Sequence, residues 1–339
     1  MKTLYCALGY ACNERCMFCP CSEHPTNQPS LSYEEICEAI DRSIEERGVN
    51  NILFSGGEPT LHPDFFRILE YAKNTGAQIS LLTNALRLAN EDFADRMFEI
   101  IDGEKLDVTV AFHSHIAEKH DYLTQHRGSF ERSMKGVDNM LKHNVRLSIK
   151  NNIVNYTYKD LPEYVRWMTN RFDDAVTLLF CNIDINGTAQ VNKDKVAVSF
   201  KNSIPYLEKA LDYIVTLRQE GHKRNVKVLT TPLCLLDPYY WGFVETETQA
   251  NMTAYKVPFS DGDKSPLMYE VSSDSGPMFK PCQNCQLQNY CPGTWRSFRN
   301  KNESKTYVDP YTVRSAVAFV CADHAGGLRR CYRPCRCRR

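Results

Sequence analysis

From residue 3 to about residue 180 the chain alternates strand-like and helix-like stretches, and this alternation constrains the fold of the 339-residue sequence more than any other feature. Short apolar segments at 4–8, 51–54, 78–82, 106–112, 145–149 and 175–180 predict strands. Between them, apolar residues recur at helical spacing over about 32–47, 63–75, 90–101, 129–143 and 160–170. Repetition of this kind predicts an α/β fold, a parallel sheet with helices outside. Ligands of such sheets collect at the carboxyl ends of the strands, so chemistry is expected in the loops that follow them. A further helix at about 203–220 and a strand at 226–230 extend the pattern.

Length allows one large domain and a smaller module. Forty-one basic residues balance forty-one acidic ones, which gives no support for nucleic acid as the main partner. No apolar run approaches a membrane span, and Met1 leads straight into a strand-like segment, so no targeting segment and no membrane partner are expected. Fifteen cysteines then predict a reducing, cytoplasmic setting and metal clusters rather than a disulfide framework.

Three of those cysteines lie in the run Cys12-Asn-Glu-Arg-Cys16-Met-Phe-Cys19 after the first strand. Three thiolates so spaced can hold three irons of a 4Fe–4S cube and leave the fourth iron open to a ligand. A zinc knuckle is the alternative for a cysteine cluster. After the second strand comes Ser55-Gly56-Gly57-Glu58-Pro59-Thr60, whose glycines permit positive φ and close backbone approach. Both loops fall on one sheet edge.

Cys12-x3-Cys16-x2-Cys19, with Phe18 before the last cysteine, and Gly56-Gly57-Glu58-Pro59 together resemble the signature of the radical SAM superfamily. The resemblance implies a partial (β/α)6 TIM-like barrel. It also implies a 4Fe–4S cluster on Cys12, Cys16 and Cys19 that binds S-adenosylmethionine through its open iron. One electron, from a donor such as flavodoxin or ferredoxin, then gives a 5′-deoxyadenosyl radical. The backbone of Gly56, Gly57, Glu58 and Pro59 would meet the cofactor's amino group. Related enzymes carry Thr-Asn-Gly after the third strand; here Thr83-Asn84-Ala85 leaves Asn84 a supporting role near the adenosine. Where peptide-modifying members have Val-Ser-Leu-Asp-Gly, this chain has Val110-Ala111-Phe112-His113-Ser114. A ribose contact through the Ala111 side chain is excluded. His113 and Ser114, with His115, face the site or lie as surface groups in a loop. Asn152, in Lys150-Asn151-Asn152, is an adenosine contact.

A second cluster, Cys282-x2-Cys285-x5-Cys291 followed by Gly293, resembles the twitch and SPASM modules and implies one auxiliary 4Fe–4S cluster, with a zinc ribbon as the alternative. Cys234 is the expected fourth ligand and Cys321 the other candidate. Cys6 and Cys37 read as core residues and Cys21 as packing beside the first cluster. Cys181, ending the sixth strand, is either a hydrogen-atom donor or core. The expected organisation is a radical SAM core at 1–225, an auxiliary-cluster domain at 226–320 and a basic, disordered tail at 321–339. Residues 237–280 read as a long irregular excursion covering the substrate opening. The resemblance implies a peptide or protein substrate, modified by crosslinking, epimerisation or oxidation, and a separate leader-peptide-binding protein. A small-molecule dehydrogenase or cyclase is the alternative within the family; a non-enzymatic iron–sulfur or zinc-binding protein is the alternative outside it.

Overall fold

The computed structural model describes residues 1–23, 30–245, 252–255, 268–270 and 275–276, and residues 282, 284, 285, 287 and 290–295. Cys321 and the 321–339 tail lie outside the described residues. Seven strands stand side by side in chain order, every neighbouring pair parallel: β1 (Thr3–Ala7), β2 (Asn51–Ser55), β3 (Gln78–Thr83), β4 (Leu106–Ala111), β5 (Arg146–Ile153), β6 (Thr177–Asn182) and β7 (Val226–Leu229). The connecting helices are α1 (Tyr33–Arg47), α2 (Phe65–Asn74), α3 (Glu91–Ile100), α4 (Ala117–Thr124), α5 (Ser129–Leu141), α6 (Leu161–Arg171), the one-turn α7 (Thr188–Val191) and α8 (Lys193–Val196), and α9 (Phe200–Gln219). Local chemistry sets their ends. At α1, Ser32 and Glu35 form a reciprocal capping box and Gly48 takes the left-handed conformation that stops the helix. No described helix is long and apolar enough to cross a membrane.

Strand order follows chain order, and right-handed crossovers place successive helices on one face of the sheet. Residues alternate accordingly. Leu147, Ile149, Leu178, Phe180, Val226 and Val228 are buried toward the helices, where Tyr164 of α6 meets Phe180 edge-on. Ser148, Lys150, Asn152, Thr177, Leu179 and Lys227 alternate with them and line the opposite, concave face. A cavity of about 270 Å³ lies there among Ser148, Thr177, Leu179, Asn225, Lys227, Leu229 and Glu245.

Curvature follows from chain reach. Val244 pairs with Val228 on the free edge of β7, while β8 (Met252–Tyr255) pairs in parallel with β1 at the far edge. Eight Cα steps separate Val244 from Met252, which span at most about 29 Å. Across a flat sheet those positions would stand about 38 Å apart. The sheet therefore curls toward a barrel.

The seventh parallel strand continues the sheet past residue 225. Two expectations change. The 237–280 stretch is not wholly irregular: β8 and the antiparallel β9 (Met268–Glu270) extend the sheet. Short strands of three or four residues without clear alternation carry no readable period. Cys6 is fully buried as expected, whereas Cys37 is only half-buried.

Phe112, fully buried after β4, packs within 6.1 Å, centroid to centroid, of His120, Phe130 and Trp167, joining α4, α5 and α6 to the sheet. Phe112→Ala is expected to lower unfolding free energy by about 3–5 kcal/mol, measured by urea denaturation of the iron-free chain.

Candidate active site at the carboxyl ends of the strands

The cysteine loop follows β1 and is held from three directions. On one side the backbone N–H groups of Arg15 and Met17 donate to the carbonyls of Thr124 and Leu123 at the end of α4, both at 2.9 Å. On another, Thr188 opens α7: its hydroxyl accepts from the Cys19 N–H and donates to the Cys16 carbonyl, each at 2.8 Å. Its own N–H donates to the Cys19 carbonyl at 3.1 Å, and the Asn192 amide donates to the Met17 carbonyl at 3.0 Å. Gly187 must be glycine, because φ is +57° and an added Cβ would stand 2.3 Å from the Cys19 oxygen. This clamp from 187–192 was missing from the sequence reading, since nothing in the sequence pairs Thr188 with a residue 169 positions earlier.

The third hold comes from β2. The N–H groups of Gly57 and Glu58 donate to the carbonyls of Gly9 and Ala11 at 2.8 Å. A Cβ at Gly56 would lie 2.4 Å from the Gly9 oxygen and one at Gly57 2.2 Å from the Ala11 oxygen. The glycines thus admit the cysteine loop itself. Below them the Glu58 carboxylate, 4% exposed, accepts from the Thr60 hydroxyl and N–H, the Thr83 hydroxyl and the Asn84 N–H at 2.6–3.2 Å. Burial raises its pKa and these donors pull it back. Pro59, also buried, starts the single turn that presents Thr60. Asn84 reaches from β3 into the loop: its amide donates to the Asn13 side-chain oxygen at 2.7 Å. Ala85 carries the left-handed backbone, φ +62°, that the glycine of related enzymes would supply without strain.

The three thiols are half-buried. Burial pushes the Cys12 thiol up to about 12 and the Cys16 thiol well above its usual value, while hydrogen bonding from the Cys21 side chain lowers Cys19 to about 7. Cys21 does pack beside the triplet. The Cys16 thiol donates to Glu14 at 3.2 Å, and burial raises the Glu14 carboxyl to about 8. A cube spreads its ligands around several irons. Three thiols on one pinned loop, with the Glu14 N–H pointing 3.4 Å from the Cys12 sulfur, suit that donor set.

Phe18 is buried and meets His113 edge-on at 4.7 Å between centroids. His113 is no surface group: it is 2% exposed, and its Nδ1 accepts from the Asn152 N–H at 3.4 Å. Burial lowers its pKa well below the usual value and lowers that of His120, stacked beside it, to about 4, so both rings are neutral. Ser114 is buried and turns back to accept from the Ile116 N–H at 3.1 Å. His113 therefore packs under the cysteine loop through Phe18, while Ser114 is turned into its own loop. Asn152 lies on the concave face in register with Cys181, and the Cys181 thiol is buried between the Asn182 carbonyl and the Thr230 hydroxyl.

Residues 7–168 match the model of the Radical SAM superfamily. They form a radical SAM domain. A mycofactocin maturase, MftC of Mycobacterium ulcerans, is 29% identical over 133 residues, covering 39% of this chain and 34% of the relative. A probable GTP 3′,8-cyclase of Methanocella arvoryzae is 30% identical over 139 residues, 41% of this chain and 43% of the relative. The chain thus spans well under half the length of these curated relatives. The crystal structure of Streptococcus suis SuiB bound to its precursor peptide SuiA superposes with a TM-score of 0.62 at 15% identity, over 86% of this chain and 71% of that one; at that identity the likeness is one of fold.

Beyond the radical SAM domain, Cys234 stands in electrostatic range of Cys291, Cys282 and Cys285. Burial chiefly, and then these neighbours, raise its thiol to about 12. The Cys291 sulfur accepts from the N–H groups of Leu233 and Gly293 at 3.4 Å. The indole of Trp295 donates to the Asn182 carbonyl at 2.5 Å, which docks the triplet's end on the carboxyl end of β6.

Gly187→Ala is expected to displace Cys19 and to cut iron retained by the radical SAM loop by half or more, read as iron per chain after anaerobic reconstitution. The neutral histidines give a pH test. Unfolded histidine takes a proton near pH 6.5, whereas folded His120 does so only near 4, so the unfolded state binds more protons between those values and stability falls as pH falls. His120→Asn is expected to lose about 2 kcal/mol less than wild type between pH 7 and pH 5, measured by urea unfolding. Equal losses would contradict the buried neutral ring.

Proposed function

We propose that the chain is a radical SAM enzyme that abstracts hydrogen from a ribosomally made peptide or protein. The observation that carries the reading is the three-sided hold on the Cys12–Cys16–Cys19 loop, with the Gly56-Gly57-Glu58-Pro59 turn and Asn84 packed against it at the carboxyl edge of a curled parallel sheet. A 4Fe–4S cluster binding S-adenosylmethionine there supplies the 5′-deoxyadenosyl radical when one electron arrives from a flavodoxin- or ferredoxin-like donor. The chain's own part is to position and to exclude water. Phe18 over neutral His113 gives the loop an apolar underside without a competing proton donor. In this reading Asn152, on the concave face, offers an amide to the adenosine; Cys181, beside it in register, is either a hydrogen-atom donor or, as its burial favours, core.

A single auxiliary 4Fe–4S cluster on Cys234, Cys282, Cys285 and Cys291 completes the proposal. Four thiols suit a closed, electron-accepting cluster, and the Trp295 contact sets it beside the same strand ends. Peptide substrates are supported by the maturase relative and by the fold shared with SuiB in its precursor-peptide complex. A separate leader-binding protein is part of this proposal, as is a cytoplasmic setting. The cyclase relative supports a second reading, a small-molecule substrate.

Anaerobically reconstituted wild type is expected to hold about eight irons and the Cys12/Cys16/Cys19→Ala variant about four, with 5′-deoxyadenosine formed only by wild type. Cys234→Ala is expected to keep a cluster whose EPR signal shifts on adding S-adenosylmethionine and to lose the unresponsive one. A candidate peptide incubated with the reduced protein in D2O should change mass, by crosslinking, oxidation or deuterium incorporation on epimerisation, only when the first triplet is intact. Turnover of a nucleotide instead, with peptides untouched, would favour the second reading.

A further inference from the structure

We propose that the Glu58 carboxylate is a positioning group for the cysteine loop, acting through Asn84 and Asn13, and not a side-chain ligand of the cofactor's amino group. This rests on the reading of that loop as the cluster site. The carboxylate is held from within the chain. One oxygen accepts from the Thr60 N–H at 3.2 Å, the Thr60 hydroxyl at 2.6 Å and the Thr83 hydroxyl at 2.7 Å; the other accepts from the Asn84 N–H at 2.8 Å. A carboxylate offers about two acceptor positions on each oxygen; the one left on the second oxygen belongs to a residue 4% exposed, closed to an incoming ammonium group.

The bonds lead outward to the loop. Asn84 is fixed at its N–H by Glu58, at its carbonyl by the Ser133 hydroxyl at 2.8 Å, and at its side-chain oxygen by the Leu86 N–H at 3.1 Å. Only its amide N–H group is left to reach out, and it meets the Asn13 side-chain oxygen at 2.7 Å. Asn13 stands between Cys12 and Glu14, and its own carbonyl is held by His126 Nδ1 at 2.7 Å. Position 13 is thus where the ends of β2 and β3 and the α4–α5 turn all bear on the loop. An acid is required at 58 for a geometric reason. Both oxygens face backbone N–H groups, of Thr60 and of Asn84, and neither of these donors can turn into an acceptor. A glutamine of the same size must point its NH2 at one of them.

The test is hydrogen–deuterium exchange of residues 10–17 in the iron-free full chain, for Glu58→Gln, Asn84→Ala, Asn13→Ala and the Glu58→Gln/Asn84→Ala double variant. Each single change is expected to speed exchange there about tenfold, the worth of one buried hydrogen bond, to the carboxylate for Glu58→Gln and between neutral amides for Asn84→Ala and Asn13→Ala. The double variant should be no faster than either single, because the residues act in series. Exchange in β4 and the thermal midpoint should stay near wild type. In reconstituted protein, Glu58→Gln and Asn84→Ala should also weaken S-adenosylmethionine binding by the same factor and broaden the cluster's EPR signal alike. Unchanged exchange at 10–17, or additive effects in the double variant, overturns the proposal. So does a tenfold loss of S-adenosylmethionine affinity in Glu58→Gln alone. Failure of wild type to take up iron at the loop would fell the cluster reading while leaving the exchange result to judge the relay.

Discussion

Everything at the strand ends depends on how closely the backbone of residues 9–13 lies on the turn at 56–58. Two N–H to carbonyl bonds of 2.8 Å join the segments, and neither distance is possible with a side chain at position 56 or 57. The thiols, the buried acid and the asparagine pair take their places from this contact. A loop bearing three cysteines with no such backing would have to order itself at the moment of metal binding, and its binding free energy would be spent on that ordering. Here the order is built into the apoprotein by hydrogen bonds that involve no sulfur.

The second consequence is electrostatic. Burial keeps the rings of His113 and His120 uncharged, and Glu58 is enclosed by donors instead of cations. Charge carried by a bound cluster and cofactor therefore meets oriented dipoles rather than mobile counter-ions, the arrangement in which fixed groups act most strongly because little solvent reorganises. Lys150, on the concave face, is the nearby cation whose field reaches both Cys21 and His113.

Much of this was readable in the residues. The helical period of 65–74 and 161–171 and the two motif loops at successive strand ends report local chemistry, and local chemistry is what a sequence displays. Cys234 was placed near its triplet by analogy, and the side chains are brought within each other's fields. What stayed hidden is contact between distant segments. Thr188 looks like any polar residue in a loop, yet it supplies two bonds to the cysteine backbone. His113 in a βα loop read equally well as a surface group, and only the packing of Phe18 over it decides otherwise. The side-chain partners of Glu58 were hidden for a related reason. A motif tells that an acid is needed without telling which of its neighbours consumes its lone pairs. Asn13 sat in plain view inside the cysteine run, and its significance appears only when Asn84, 71 residues later, meets it.

The pairing of β1 with β8 bears on how the chain is made. Thr3 finds its partner Met252 only 249 residues later, so during synthesis one edge of the first strand stays bare while the rest of the sheet is assembled. A parallel pairing of such long sequence separation closes slowly, and an open strand edge invites pairing with another chain. The loop that carries Cys12, Cys16 and Cys19 hangs from that same strand. Its three anchors on α4, α7 and β2 are all complete by residue 192, so the nascent chain can shape the loop before the last seam of the sheet is sewn.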